Sequence, residues 1–325
     1  MVKVRWGILS TARIGVKKVI PAMQKGRFTE VVAIASRNGK RANEAADKLN
    51  IEKRYDSYEA LLDDPGIDAV YNPLPNHLHV PWTIRAMESG KHVLCEKPIG
   101  LNAEEAIKLV EATRQFPDLK VMEAFMYRFH PQWQKARELV VKGSIGEVRT
   151  LHSFFSYYNT DPENIRNKAD IGGGALMDIG CYCISFPRFV FDEEPVNVTG
   201  EMDFDPVMKT DRLTSGMLRF PSGKTSTFTC ATQLMPYQKV HIMGTGGQII
   251  IEIPVNAPPE ETVSIILKTQ ELTETFTFDP VDQYTLQGDA FSKAIIDDKP
   301  VPVSLEDAVN NMQVIDELRA GHGKK

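Results

Sequence analysis

The sequence predicts an α/β chain: a doubly wound parallel sheet in the N-terminal third, then an α+β domain with a large, mostly antiparallel open sheet. Two observations carry this. From Val2 to Glu123, short apolar β-prone runs alternate with helical patterns in units of roughly 20–30 residues, the rhythm of right-handed βα crossovers. Beyond residue 124 the grammar changes. Between 196 and 277, strands follow one another through the turn signals Pro221-Ser222-Gly223, Pro236-Tyr237 and Gly244-Thr245-Gly246-Gly247, without intervening helices. The expected domains are 1–123 and 124–325.

Composition narrows the function classes. Of 325 residues, 42% are hydrophobic and 25% charged, as in an ordinary globular protein. The net charge is −5 without long runs of either sign, which argues against nucleic acid or an anionic membrane as partner. The cysteines at 95, 181, 183 and 230 form neither a disulfide framework nor a zinc-type spacing, so reduced thiols, a cytoplasmic location and no metal site are expected. The N-terminus enters a strand almost at once, so no signal peptide is expected, and no apolar stretch is expected to reach membrane-spanning length.

In the first domain, Val2–Leu9 reads as a strand, followed by Ser10-Thr11-Ala12-Arg13-Ile14-Gly15 and a helical pattern through Met23. The dinucleotide fingerprint G-x-G-x-x-G falls on Ser10, Ala12 and Gly15. Only its last glycine is present, although small residues at 10 and 12 still permit close backbone approach to a pyrophosphate. Any strand-to-helix turn would share these features. The next strand, 31–35, runs into Ser36-Arg37-Asn38-Gly39-Lys40-Arg41, with three cations where an NAD site usually places an acid. A hydroxyl and guanidinium groups at Ser36, Arg37 and Arg41 suit a 2′-phosphate, so NADP(H) is expected over NAD(H), the alternative being a solvated basic loop.

Helical patterns follow at 40–50 and 58–62, then a strand at 69–71. The loop Pro73-Leu74-Pro75-Asn76-His77-Leu78-His79 precedes a helix at 81–88. Asn76 and His79 either cap that helix or converge with the next strand-end loop, Cys95-Glu96-Lys97-Pro98. A Glu-Lys pair at the carboxyl end of a buried parallel strand sits where open α/β sheets keep their ligands, and Pro98 restricts Lys97.

A helix at 130–142 opens the second domain, and a strand follows from Val148. Helical patterns at 174–191, 285–297 and 305–319 are expected to cover one face of the sheet. In Gly172-Gly173-Gly174-Ala175-Leu176-Met177-Asp178-Ile179-Gly180-Cys181-Tyr182, the glycines allow close backbone approach. Asp178 and Tyr182, four apart, should project from one helical face. Asp178 also suits a helix first turn and Tyr182 a core position. Cys181 and Cys183 read as buried structural thiols.

The turn 7–14, the Pro75-Asn76-x-x-His79 loop, Glu96-Lys97-Pro98 and Gly-Gly-Gly-x-Leu-x-Asp178-x-Gly180 together resemble the Gfo/Idh/MocA family over nearly the whole chain. Met122–Pro131 and Tyr182 resemble the branch with dimeric dihydrodiol dehydrogenase and NADP-dependent D-xylose dehydrogenase; many inositol-type relatives carry His at the latter place. The resemblance implies an N-terminal Rossmann domain and a C-terminal open sheet that forms a homodimer. It also implies that Lys97 and the Asp178/Tyr182 helix face a nicotinamide, with a cis peptide before Pro98. Cofactor contacts are then expected from Ser10, Thr11, Ala12, Arg13, Ile14, Ser36, Arg37, Arg41, Leu74, Pro75, Asn76, His79, Glu96 and Lys97.

The implied activity is hydride transfer between nicotinamide and a carbinol carbon of a sugar or cyclic diol. Tyr182 transfers the proton and the Lys97 ammonium lowers the cost of tyrosinate, or Lys97 moves the proton itself. Asp178 orients a substrate hydroxyl, and Arg166 and Asn167 are further substrate candidates. Two rivals share this fold: a glycosidase with tightly bound nucleotide acting by transient oxidation and elimination, and a non-catalytic nucleotide sensor.

Overall fold

A computed structural model describes residues 2–321. The chain forms two compact units. One runs to Met126 and takes in Asp282–Val309; the other comprises Tyr127–Val281 and the chain from Asn310 onward. The expected boundary at 123/124 is therefore close, but the second domain is not one uninterrupted stretch.

The first unit holds β1 (Val4–Leu9), β2 (Thr29–Ala35), β3 (Lys53–Tyr55), β4 (Ala69–Asn72), β5 (His92–Cys95) and β6 (Val121–Glu123). They form one parallel sheet in the order β3-β2-β1-β4-β5-β6, the doubly wound arrangement. Its strands read as near-continuous apolar runs because helices bury both faces. Those helices are α1 (Ile20–Gln24), α2 (Gly39–Leu49), α3 (Tyr58–Leu62), α4 (His79–Glu88) and α5 (Ala103–Thr113). Asn38, Ser57 and Asn102 cap α2, α3 and α5 by accepting backbone N–H bonds. The short β3 was not anticipated from the sequence, where its three residues carry two cations and little apolar signal.

The return of the chain to this unit has a packing cause. After α6 (Pro131–Val141) and α7 (Cys181–Phe191) in the second unit comes α8 (Gln283–Ile296), and it packs on α1 and β1. Trp6 on β1 is fully buried, donates from Nε1 to Ser292 Oγ (3.1 Å), and lies 5.7 Å from the Phe291 ring. Asp289 accepts the N–H groups of Arg27 and Phe28 ahead of β2. A helix that far along the sequence carries no local sign of which core it fills.

The second unit is built on an eight-stranded sheet: β7 (Val148–Tyr158), β8 (Asn197–Phe204), β9 (Asp211–Arg219), β10 (Thr225–Ala231), β11 (Gln233–Gly244), β12 (Gly247–Ile251), β13 (Val263–Thr269) and β14 (Thr273–Phe278). Its order is β14-β13-β12-β11-β7-β10-β9-β8, antiparallel except for the central β7/β10 pair. Register fixes its two faces. One row runs Leu218, Ser226, Leu151, Ile242, Ile249 and Leu267, all buried. The adjacent row, Met217, Thr227, His152, His241, Ile250 and Ile266, points the other way, and Met217 and His152 are exposed. The remaining helix, α9 (Leu305–Gly321), starts in the first unit and ends in the second.

Two sequence expectations change here. The stretch Ala169–Phe191 is long and apolar enough to cross a membrane by composition, but 89% of its apolar window is buried inside the protein, which marks a core helix. Both Asp178 and the Gly15 turn lie in π-helical turns, Leu176–Gly180 and Gly15–Val19, rather than in regular α-helix. The expected common face of Asp178 and Tyr182 rested on α-helical spacing; a π-turn, with its i→i+5 bonding, sets their placement instead.

His130 caps α6: its Nδ1 accepts from Gln132 N (3.2 Å), so that nitrogen must be unprotonated. Burial lowers its pKa to about 4. A histidine depressed in the folded state contributes stability above its unfolded pKa of about 6.5, and that stability is lost as pH falls toward the folded value. Between about pH 7 and pH 5 the loss from this residue is about 2 kcal/mol. Urea melts of wild type and His130→Asn, which keeps a capping oxygen, check this: the variant should lose less stability on acidification. Parallel pH profiles would contradict it.

Candidate active site

The first unit gathers its candidate residues on the carboxyl ends of β1, β2, β4 and β5, around the switch point between β1 and β4. Ser10 occupies the place of the fingerprint's first glycine and adopts φ 90°, a conformation uncommon for a residue with a side chain. Its N–H bonds Ala35 O (3.0 Å) and its Oγ accepts from Ala12 N (3.2 Å), so the hydroxyl itself closes the turn. Thr11, Ala12, Arg13 and Ile14 complete the passage into the π-turn, with Arg13 exposed.

At the end of β2, Ser36 is buried; its N–H reaches Tyr55 O and its Oγ accepts from Asn38 N (3.2 Å). Arg37, Lys40 and Arg41 stay exposed around the start of α2. Burial raises the Tyr58 pKa, and the nearby Arg37 charge partly offsets that rise. The Tyr58 ring meets Trp82 edge-on at 4.9 Å, and the Arg85 guanidinium lies 4.7 Å from the Trp82 ring centre. Sequence reading missed Tyr58, whose helical position gave no hint of a partner 21 positions upstream.

The loop bearing Lys97 is tied down residue by residue. Tyr71, fully buried, donates to Glu96 Oε1, and burial followed by the Glu96 charge raises its pKa well above normal. Glu96 N bonds Asn72 O (3.0 Å), Ile99 N bonds the buried Glu123 Oε1 (2.7 Å), and Leu101 N bonds Glu105 Oε2 (2.8 Å). The Lys97–Pro98 peptide is cis. His79 is buried between two carbonyls, with Nδ1 at 2.7 Å from Pro98 O and Nε2 at 2.6 Å from Leu74 O. Burial pulls its pKa down to about 4 against the opposing effect of those carbonyls. Both ring nitrogens are occupied, so His79 serves by holding Leu74 and Pro98 rather than by reaching out as Pro75 and Asn76, half-buried on the loop, can.

The second unit supplies a carboxylate network. Asp178 Oδ2 accepts from Tyr157 OH (2.7 Å) and from Arg166 Nε (2.9 Å). Burial, with the Asp178 charge next, pushes the Tyr157 pKa strongly upward, so Tyr157 remains a phenol and a donor. Asn167 is buried, with its amide on Asp161 O (2.8 Å) and Asn159 Oδ1 (3.2 Å), which shapes the loop before the glycines. Gly173 must be glycine: a Cβ there would fall 2.5 Å from Arg166 O and 2.7 Å from Lys168 O. Tyr182 is 4% exposed among Tyr127, Phe155 and Phe186 rings. Tyr157 was missed because it lies on β7, in a run that reads only as strand.

A doubly wound parallel sheet with a tight turn at its switch point, a Glu-Lys-Pro strand end and a separate sheet domain is an arrangement suited to a dinucleotide-linked oxidoreductase. Residues 4–124 match the model of the oxidoreductase family with NAD-binding Rossmann fold, and residues 133–250 match the GFO/IDH/MocA C-terminal domain. The chain belongs to the Gfo/Idh/MocA oxidoreductase family. It is 38% identical over 314 residues to an NADP(+) D-xylose 1-dehydrogenase of Haloferax volcanii, covering 96% of this chain and 95% of that one. It is 37% identical over 259 residues to a trans-1,2-dihydrobenzene-1,2-diol dehydrogenase of Xenopus laevis, covering 77% and 75%. The crystal structure of a 3-ketoreductase from Actinomadura kijaniata with NADP and TDP-benzene is similar, with TM-score 0.91, 30% identity and 98% of each chain covered.

Removing the Tyr157 hydroxyl while keeping its ring tests the network. Tyr157→Phe takes one donor from a charged acceptor and should cost about 1.5–3 kcal/mol in denaturant melts. Nucleotide titrations of the same variant should match wild type. Unchanged stability would mean that the hydroxyl does not hold Asp178.

Proposed function

We propose that the chain transfers a hydride between NADP(H) and a carbinol or carbonyl carbon of a sugar or related cyclic alcohol, an aldose or a trans-dihydrodiol. The observation that carries this is the convergence of four strand-end loops on one sheet edge, with Arg37 and Arg41 exposed where β2 ends. Those residues fit a phosphorylated dinucleotide. The self-closing Ser10 turn leads into a helix whose first N–H groups suit a pyrophosphate, and Ser36, Arg37 and Arg41 suit a 2′-phosphate. The NADP named for the Haloferax dehydrogenase and the Actinomadura ketoreductase supports the same preference. Leu74, Pro75, Asn76 and Glu96 would border the cofactor from the neighbouring loops.

When bound, the nicotinamide accepts or supplies the hydride. The proton of the reacting hydroxyl goes to the Tyr182 oxygen, and the Lys97 ammonium lowers the cost of the tyrosinate that receives it. Asp178, held by Tyr157 and Arg166, accepts a hydrogen bond from a substrate hydroxyl and fixes its orientation. Four buried cysteine thiols, none in a disulfide, favour the reducing cytoplasm.

Paired fluorescence titrations with NADPH and NADH, followed by an absorbance screen over aldoses, inositols and trans-dihydrodiols, test the reading. NADPH should bind more tightly, and turnover should appear on an aldose or a diol. Lys97→Ala and Tyr182→Phe should each lose about 10²–10⁴ in rate, and the larger loss marks the group that moves the proton. Wild-type turnover in both variants would remove the assignment, and an NADPH preference at or below parity would remove the phosphate site.

The open sheet suits a homodimer. Its outer face exposes Met217 on β9 and Met243 and Tyr237 on β11, with β7 and β10 between those strands. Sedimentation should show a dimer that Met217→Lys or Tyr237→Glu weakens. A wild-type monomer at micromolar concentration would contradict this.

A further inference from the structure

Asp211 opens β9 and is 6% exposed. Its Oδ2 accepts from the backbone N–H of Leu176 (2.7 Å) and from Thr214 Oγ1 (2.7 Å). Leu176 is the first residue of the π-turn that bears Asp178 and leads into α7 with Tyr182. The residue ahead of that turn, Ala175, has no side-chain cap to offer. A helix start leaves its first N–H groups without intrahelical partners, and a buried start needs an acceptor from elsewhere. Asp211 supplies it from another strand.

The seat is close-fitting. A Cβ on Gly174 would lie 2.0 Å from Asp211 Oδ1 and 3.1 Å from its Cγ, so only glycine lets the carboxylate rest against the main chain there. Gly174 O in turn accepts the N–H of Asp178 (3.0 Å). At the far side, Asn311 on α9 donates to Cys181 O (3.2 Å) and accepts from Arg188 Nη1 (3.0 Å), which holds α7 against rotation. Burial raises the Asp211 pKa, while the Thr214 hydroxyl, the Leu176 amide and the more distant Arg319 charge oppose that rise.

We infer that Asp211 is a positioning residue: its carboxylate, seated on Gly174, sets the start of the helix and thereby the placement of Asp178 and Tyr182 for turnover. The functional half rests on the oxidoreductase reading above; the anchoring half does not. Asp211→Ala removes the acceptor, whereas Asp211→Asn can keep an amide oxygen in the place of Oδ2, where it accepts from both Leu176 N and Thr214 Oγ1. Gly174→Ala is an independent lesion of the same seat.

The test combines amide hydrogen exchange of residues 174–191 with steady-state kinetics, below each variant's melting temperature and after NADPH titration has counted intact first units. Asp211→Ala and Gly174→Ala should speed exchange in 174–191 and lower kcat about 10- to 100-fold at unchanged NADPH affinity, with Asp211→Asn near wild type. Wild-type exchange in Asp211→Ala would overturn the anchor. Faster exchange with wild-type kcat would reduce Asp211 to a stabilising contact and overturn the positioning role. If wild type itself turned over no sugar or diol, the oxidoreductase reading would have failed, and the exchange comparison would still decide the anchor.

Discussion

The constraint on which the first unit's site depends is the satisfaction of buried backbone polar groups in the loop after β5. A loop that leaves a buried parallel strand carries N–H and C=O groups away from water, and each left unpaired costs about 1–3 kcal/mol. Here His79, Glu105 and Glu123 reach in from three different elements to meet that need, and Tyr71 holds the Glu96 carboxylate beside them. The His79 ring sits between Pro98 O and Leu74 O and, neutral at ordinary pH, donates its one N–H to one of them, packing the β4 and β5 loops against each other. Lys97 is thus carried on a frame that cannot drift without breaking several buried bonds.

The second unit solves the same problem for a helix. Asp211 satisfies the Leu176 amide, Gly173 and Gly174 admit the neighbouring chain, and Tyr157 and Arg166 fix the Asp178 carboxylate. Each unit also places a π-turn at the entry to its functional helix, at Gly15–Val19 and at Leu176–Gly180. Such turns widen a helix locally and re-aim its side chains, a device that recurs at functional sites. The acids that hold the Lys97 loop and the start of the second unit's helix, Glu123 and Asp211, are both buried, and Asp211 belongs to no recognisable motif.

Much of this was legible in the sequence for a physical reason. Strands of a doubly wound sheet are buried on both faces and read as apolar runs, and the strand-end loops carry their chemistry in consecutive residues such as Glu96-Lys97-Pro98. What stayed hidden depends on contacts distant in sequence. Trp6 meets Ser292 on a helix that sequence order assigned to the other domain, Asp211 serves Leu176 from a later strand, and Tyr58 meets the Trp82 ring. His79 was legible as important but not in its role, because sequence cannot show that both its nitrogens face carbonyls. The π-turns were hidden too, since their apolar spacing passes for an α-helix.

The central claim, hydride transfer at a carbinol carbon, is tested most directly by isotope. With NADPH carrying deuterium at the transferable C4 position and a carbonyl substrate found by screening, the account predicts one deuterium bound to the new carbinol carbon of the product. Product formation with the deuterium retained on the recovered nucleotide, or with solvent hydrogen at that carbon, would contradict it.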